Sequence, residues 1–273
     1  MRKIKINFIN FWGGFDPKSN YFYDLLKEEF DVEISNNPDY LFFSVFGNDH
    51  LKYKCKKIFY VGENIPPDMN YCDYAFSFDY LNNDRNYRLP HYLLYPGYYD
   101  LVNKSVDDSL VNRKFCNIVM SNGGCKKRND FFQKLSKYKR VDSGGRAFIN
   151  IGYVVSDKRK FQSEYKFSLT FENDAYRPEN PGYTTEKIME SMVVNSIPIY
   201  WGNPVINREF NTKSFINYYD FKNEDNMIEY IIELDKNDDK YMEVMKQLWF
   251  LEYKIPDNNK IENIKSFLYK IFN

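Results

Sequence analysis

Apolar positions in the first eighty residues fall into short runs with two different periods. Ile4 to Ile9 alternates with polar residues, the period of a strand. Tyr21 to Phe30 places Phe22, Leu25, Leu26 and Phe30 at helical spacing, with charges on the opposite face. Tyr40–Val45, Ile58–Val61 and Tyr74–Phe78 are continuous apolar runs, which suits strands of a parallel sheet covered on both faces. A polar, aperiodic stretch from Asp100 to Arg113 reads as a linker, and beyond it the series starts again. Cys116–Met120 predicts a strand, Arg128–Tyr138 a helix with Phe131, Phe132 and Leu135 inward, and Val141 a short strand leading to Gly144-Gly145. Phe167–Phe171, Thr184–Asn195 and Ile197–Trp201 form one strand–helix–strand unit. The pattern predicts an α/β protein with two Rossmann-like domains facing a cleft, divided as residues 1–110 and 111–273.

The C-terminal third carries helical periods over Glu224–Leu234, Lys240–Phe250 and Lys260–Phe272. In the last of these, Ile261, Ile264, Phe267, Leu268 and Ile271 share a face and Lys260, Lys265 and Lys270 lie elsewhere. A basic amphipathic helix can lie peripherally on a membrane surface. The competing use, which the pattern favours, is docking on its own domain.

Composition narrows the classes. The chain of 273 residues balances 38 Lys and Arg against 38 Asp and Glu, so it lacks the positive excess of a general nucleic-acid binder. Its 43% hydrophobic content can build a core without staples. Cys55, Cys72, Cys116 and Cys125 form no C-x-x-C pair, and His50 and His91 have no metal-ligand spacing, so reduced thiols and no structural metal are expected. The first residues alternate like a strand rather than forming a secretion signal, and no apolar run approaches the ~20 residues of a membrane span. The expectation is a cytoplasmic protein. The 25 Tyr and 24 Phe suit core packing, interfaces and sugar-binding clefts alike.

Candidate chemistry concentrates where a predicted strand ends at Glu172-Asn173 and, after a loop with Pro and Gly, a helix begins near Thr184. A helix N-terminus at the carboxyl edge of a sheet presents free N–H groups to a phosphate. Lys187 would add a full positive charge and Glu186 could accept hydrogen bonds from ribose hydroxyls. Alternatively, Thr184 or Thr185 caps the helix and Glu186 complements its dipole.

These residues carry a resemblance. Tyr165-Lys166-Phe167-Ser168-Leu169-Thr170-Phe171-Glu172-Asn173, then Tyr183-Thr184-Thr185-Glu186-Lys187, then Ile197-Pro198-Ile199-Tyr200-Trp201-Gly202, resemble the α-1,3/4-fucosyltransferases of glycosyltransferase family ten, in particular bacterial members. Tyr60-Val61-Gly62-Glu63-Asn64 looks like the family's Y-x-G-E-N, and Asn10-Phe11-Trp12-Gly13 resembles an early N-W-W-G segment. The segment Asp174–Pro181 is longer than in the bacterial members.

The resemblance implies two domains of the GT-B type, GDP-fucose as donor, an N-acetylglucosamine-containing oligosaccharide as acceptor through O3 or O4, and inversion at the anomeric carbon. It gives Glu63 the role of general base. The position of Glu63 after a buried strand and a Gly agrees, since its carboxylate should project at a carboxyl edge. The chain has no D-x-D pair to hold a metal, so cationic groups are expected to stabilise the diphosphate. Lys187 is one, and Arg146 after Gly144-Gly145 the other, by its match to the family's phosphate-contacting arginine. Asn173 and Tyr183 are implied to contact the diphosphate or sugar. Two rivals remain open at this point: a transferase of the same fold using another nucleotide sugar, and a non-catalytic glycan-binding protein.

Overall fold

The structure, a computed structural model, describes residues 1–174, 181–251 and 254–273. These form two compact units, one of residues 1–94 with 256–273 and one of residues 95–255.

In the first unit, chain order runs β1 (Arg2–Ile9), α1 (Tyr21–Lys27), β2 (Phe30–Ile34), β3 (Tyr40–Phe43), β4 (Lys56–Tyr60), β5 (Tyr74–Ser77) and β6 (Asn86–Arg88). The strands form one parallel sheet in the order β2-β1-β3-β4-β5-β6. Helix α1 starts where the Asn20 side chain accepts from the Tyr23 amide, and it buries Phe22, Leu25 and Leu26. Phe30 continues the helical spacing in sequence, yet it opens β2, opposite Arg2. The gain from pairing a new edge strand outweighs one more apolar residue on a short helix, so both β2 and the three-residue β6 escape periodicity.

In the second unit, β7 (Lys114–Ile118), α2 (Lys126–Ser136), β8 (Val141–Ser143), α3 (Lys158–Gln162), β9 (Tyr165–Leu169), α4 (Glu186–Val193), β10 (Ile197–Tyr200) and β11 (Ile216–Asn217) precede α5 (Glu224–Lys236) and α6 (Asp238–Met245). The sheet is again parallel, in the order β11-β10-β9-β7-β8. All five residues of β9 and all four of β10 are buried, as expected of central strands covered on both faces.

The observed division departs from the expected 110/111 boundary in two respects. It falls at residues 94 and 95, and the last helix, α7 (Ile261–Phe272), returns to the first unit. Its apolar stripe explains why. Ile264, Leu268, Ile271 and Phe272 are fully buried, with Phe272 packed on Tyr40 at 4.3 Å and on Phe30 at 5.7 Å between ring centroids. Phe267 meets Phe76 and Tyr87, and Lys265 pairs with Glu28 at 2.5 Å. The face that could have met a membrane is thus occupied by the protein's own sheet. No helix among the described residues is long and apolar enough to cross a membrane. The segment 174–181 singled out in the sequence lies, over residues 175–180, outside the described residues.

Candidate active site

Beyond the end of β9 the chain stays extended. Thr170 N donates to Ile199 O at 2.9 Å and Glu172 N to Trp201 O at 2.8 Å, so Glu172 stands at the carboxyl edge of the second sheet. Its side chain is wholly buried. One carboxylate oxygen accepts from Thr185 N at 2.7 Å; the other accepts from Thr185 Oγ1 at 2.7 Å and Lys187 Nζ at 3.1 Å. The N-terminus of α4 is therefore met by the chain's own carboxylate rather than left open as the sequence suggested. Thr185 is the N-cap of α4 by position, but its hydroxyl serves Glu172 and Lys187 instead of a helix amide. Gly202 makes the packing possible: a Cβ there would meet Glu172 Cγ at 2.5 Å and the Tyr200 hydroxyl at 2.7 Å.

Lys187 sits only 18% exposed. Burial works against its charge, but Glu172 and then Glu186 outweigh it, and its pKa is held above the ordinary lysine value. An ammonium has three donors. Two are engaged, by Glu172 and by Thr185 Oγ1 at 2.9 Å.

The second cation of this edge is Arg128, on α2 and 2% exposed. It donates to Asn173 Oδ1 at 2.7 Å, to Phe171 O at 3.4 Å and to Asn122 O. Burial lowers its pKa, with the Glu172 carboxylate among the groups that oppose the shift. Arg128 also lines a narrow crevice with Met120, Lys158, Gln162, Thr170 and Lys187. Its Nε and the Gln162 Oε1 are buried without a hydrogen-bond partner. Arg128 and Lys187 bring two cationic side chains to this edge, each a donor that suits an anion.

The structure thus unites Asn173, Thr185 and Lys187 and adds Glu172 and Arg128, which sequence reasoning passed over. A signal for Arg128 existed. It lies three, four and seven positions before Phe131, Phe132 and Leu135, on the buried face of α2, and an arginine is almost never fully buried without partners. Tyr183 is buried at 3% and Glu186 is half-buried in the first turn of α4. Arg146 is exposed in the turn after β8 and takes no part in the network. The glycines before it allow close packing: a Cβ on Gly145 would collide with the Met120 backbone, and one on Gly144 with Val155. They let the β8 turn pack against the end of β7.

In the first unit, Glu63 lies exposed in the turn after β4, where Ile65 N donates to Glu63 O at 2.8 Å. Gly62 faces His91, whose Nε2 would lie 3.9 Å from a Cβ at that position. Among the described residues no group of three or more His, Cys, Asp or Glu could hold a metal ion, and all four cysteines are free thiols.

Two units, each built on a parallel sheet with helices, give the chain the GT-B fold class of a solved alpha1,3-fucosyltransferase. The family models agree over nearly the whole chain. Residues 6–95 match the alpha-(1,3)-fucosyltransferase FucT N-terminal domain, and residues 110–268 match the glycosyltransferase family 10 (fucosyltransferase) C-terminal model. The chain belongs to glycosyltransferase family 10. It is 33% identical to the alpha-(1,3)-fucosyltransferase FucT of Helicobacter pylori over 89% of this chain, and it spans 59% of that relative's length. It is 32% identical to alpha-(1,3)-fucosyltransferase B of Drosophila melanogaster over 50% of this chain and 32% of the relative. A crystal structure of an alpha1,3-fucosyltransferase matches with a TM-score of 0.86 at 30% identity, covering 99% of this chain and 90% of that one. A crystal structure described as alpha1,3-fucosyltransferase with GDP-fucose matches at 0.83 and 30% identity, covering 100% and 91%.

Proposed function

We propose that this protein transfers fucose from GDP-fucose to a hydroxyl, O3 or O4, of an N-acetylglucosamine-containing glycan, with inversion. The observation that carries it is the Arg128–Asn173–Glu172–Lys187 cluster, which sets two largely buried cations at the carboxyl edge where a helix begins. In this reading the second unit takes the donor. Arg128 and the remaining donor of Lys187 meet the diphosphate, so that the charge developing on departing GDP is stabilised by groups already in place. Glu172 does not touch the donor; it keeps Lys187 charged and aimed. Glu186 serves the ribose, and Asn173 and Tyr183 border the sugar and diphosphate. Arg146, exposed and outside the cluster, is the weaker of the two arginines for this work.

The first unit takes the acceptor. The acceptor oxygen attacks the anomeric carbon as the bond to the GDP oxygen breaks, GDP leaves with the bonding pair, and the hydroxyl proton passes to the Glu63 carboxylate. The similarity to a transferase whose structure was solved with GDP-fucose favours this donor over other nucleotide sugars. The presence of Glu63, Arg146 and Lys187, the residues to which the resemblance gives the chemistry, favours an enzyme over a glycan-binding relative. The free thiols suit a reducing compartment, and we place the activity in the cytoplasm.

Incubation with GDP-fucose, GDP-mannose or UDP-sugars and a small glycan array, read by mass spectrometry, tests the proposal. A mass gain of one deoxyhexose with GDP-fucose alone is expected; gain of a different sugar, or none across the array, overturns it. Glu63→Gln should keep GDP binding and lose about 100- to 10,000-fold in turnover, the usual worth of a positioned base.

A further inference from the structure

The carboxyl edge of the first sheet carries exposed rings that no part of the donor chemistry uses. Strands β1, β3 and β4 are adjacent and parallel, with Ile9 opposite Phe43 and Phe43 opposite Phe59. Trp12, Phe46 and Glu63 each follow the last residue of their strand by three positions. Neighbouring strands lie about 4.8 Å apart, so these three loops stand side by side across roughly 10 Å. Trp12 is 41% exposed and Phe46 51%.

Their setting is built rather than incidental. Trp12 meets Phe15 edge-on at 5.2 Å and Phe11 at 5.6 Å. Phe11 in turn stacks on Phe15 at 4.1 Å and on Tyr60, the last residue of β4, at 6.3 Å. A ladder of rings therefore runs from Trp12 to the strand that carries Glu63. Phe46 is tied to the same loop through its amide, which donates to Asn10 O at 3.0 Å. Asn10 holds a left-handed conformation, φ 56°, that costs free energy unless its surroundings impose it. Its Oδ1 accepts from His50 N at 3.2 Å, and its amide packs where a Cβ on Gly47 would stand. Asn10 thus locks the β1 and β3 loops together.

From this arrangement we infer that Trp12 and Phe46 form the stacking floor for a pyranose ring of the acceptor, presented beside Glu63, with Asn10 as the positioning residue. The inference rests on the transferase reading and adds the acceptor-specificity surface to it. A pyranose offers a face of C–H groups to an aromatic ring and a rim of hydroxyls to polar neighbours. The exposed Asn48, Asp49 (paired with Lys52 at 2.5 Å) and Glu63 set polar groups on the loops that carry the rings. A lipid chain or a second protein copy would call for a continuous apolar patch instead.

The experiment titrates the full chain with an N-acetylglucosamine-containing disaccharide and follows the indole N–H resonances of its three tryptophans, the Trp12 signal being the one missing in Trp12→Phe. A saturable shift of that signal is expected. Acceptor KM should rise tenfold or more in Trp12→Ala and in Phe46→Ala, with partial recovery in Trp12→Phe, while the GDP-induced rise in Tm and the donor KM stay within twofold. An unmoved Trp12 resonance, an acceptor KM within twofold of the parent in both variants, or a donor KM raised in parallel overturns the inference. A parent chain that shows the saturable Trp12 shift but transfers no fucose would refute the transferase reading and leave the sugar floor standing.

Discussion

The buried carboxylate of Glu172 lies 3.1 Å from the Lys187 ammonium, and Thr185 bonds to both. A carboxylate in this position serves the fold first, because removal of either partner leaves a charge in the interior. Glu172→Ala should destabilise the protein by about 3–5 kcal/mol, the usual cost of orphaning a buried ion-pair partner. Denaturant unfolding measures it; a loss under 1 kcal/mol would show that Lys187 reaches water without its partner.

Arg128 and Arg146 separate cleanly by mutation. A hydrogen bond to a charged group contributes about 1.5–3 kcal/mol, so Arg128→Lys, which keeps the charge and loses the fork, should weaken GDP binding by about 10- to 150-fold. Arg146→Ala should change it by less than about threefold. Titration calorimetry with GDP reads both, and the reverse ranking would transfer the phosphate role to Arg146.

Lys104 gives a pH signature. Burial pushes its pKa down to about 7, although its ammonium lies 3.2 Å over the Trp249 ring and donates to Gln247 O at 2.6 Å, contacts that favour the charged form. In the unfolded chain it titrates near the ordinary value of about 10.4. Between those values the unfolded state binds the extra proton, so stability rises with pH from about 7 towards 10 and the penalty is complete below 7. Lys104→Met should be more stable than the parent at pH 7 and show a flatter stability profile up to pH 10. Parallel profiles in urea titrations would contradict a neutral Lys104.

Phe272 anchors the last helix within the first unit. Phe272→Ala should cost about 3–5 kcal/mol, as for a large ring deleted from a packed core. A thermal midpoint within 2 °C of the parent would mean that α7 does not hold the sheet.

Gly202 offers the narrowest test of site geometry. Gly202→Ala drives a methyl into Glu172 Cγ and the Tyr200 hydroxyl, so GDP affinity should fall about tenfold or more together with stability. Unchanged GDP affinity in calorimetry would separate this packing from the donor site.

Much of the architecture was legible because buried parallel strands are written as continuous apolar runs, and β3, β4, β9 and β10 stand within two or three residues of their expected bounds. Lys187 was legible because it opens a helix that the pattern predicts, whereas Asn173 entered through the family motif that ends the strand. Elements with few residues to make a pattern, such as β2, β6, α3 and β11, were not.

The amino-acid sequence by itself determined the α/β class, the two strand series and the family, because periodicity and motif spacing are local properties of the chain. Only the tertiary structure decided that α7 returns to the first unit, that Glu172 meets the N-terminus of α4, and that Arg128 rather than Arg146 stands beside Asn173 and Lys187. Each of these depends on which distant segments a side chain meets after folding. An arginine and a carboxylate declare their partners only when burial removes the alternative of water.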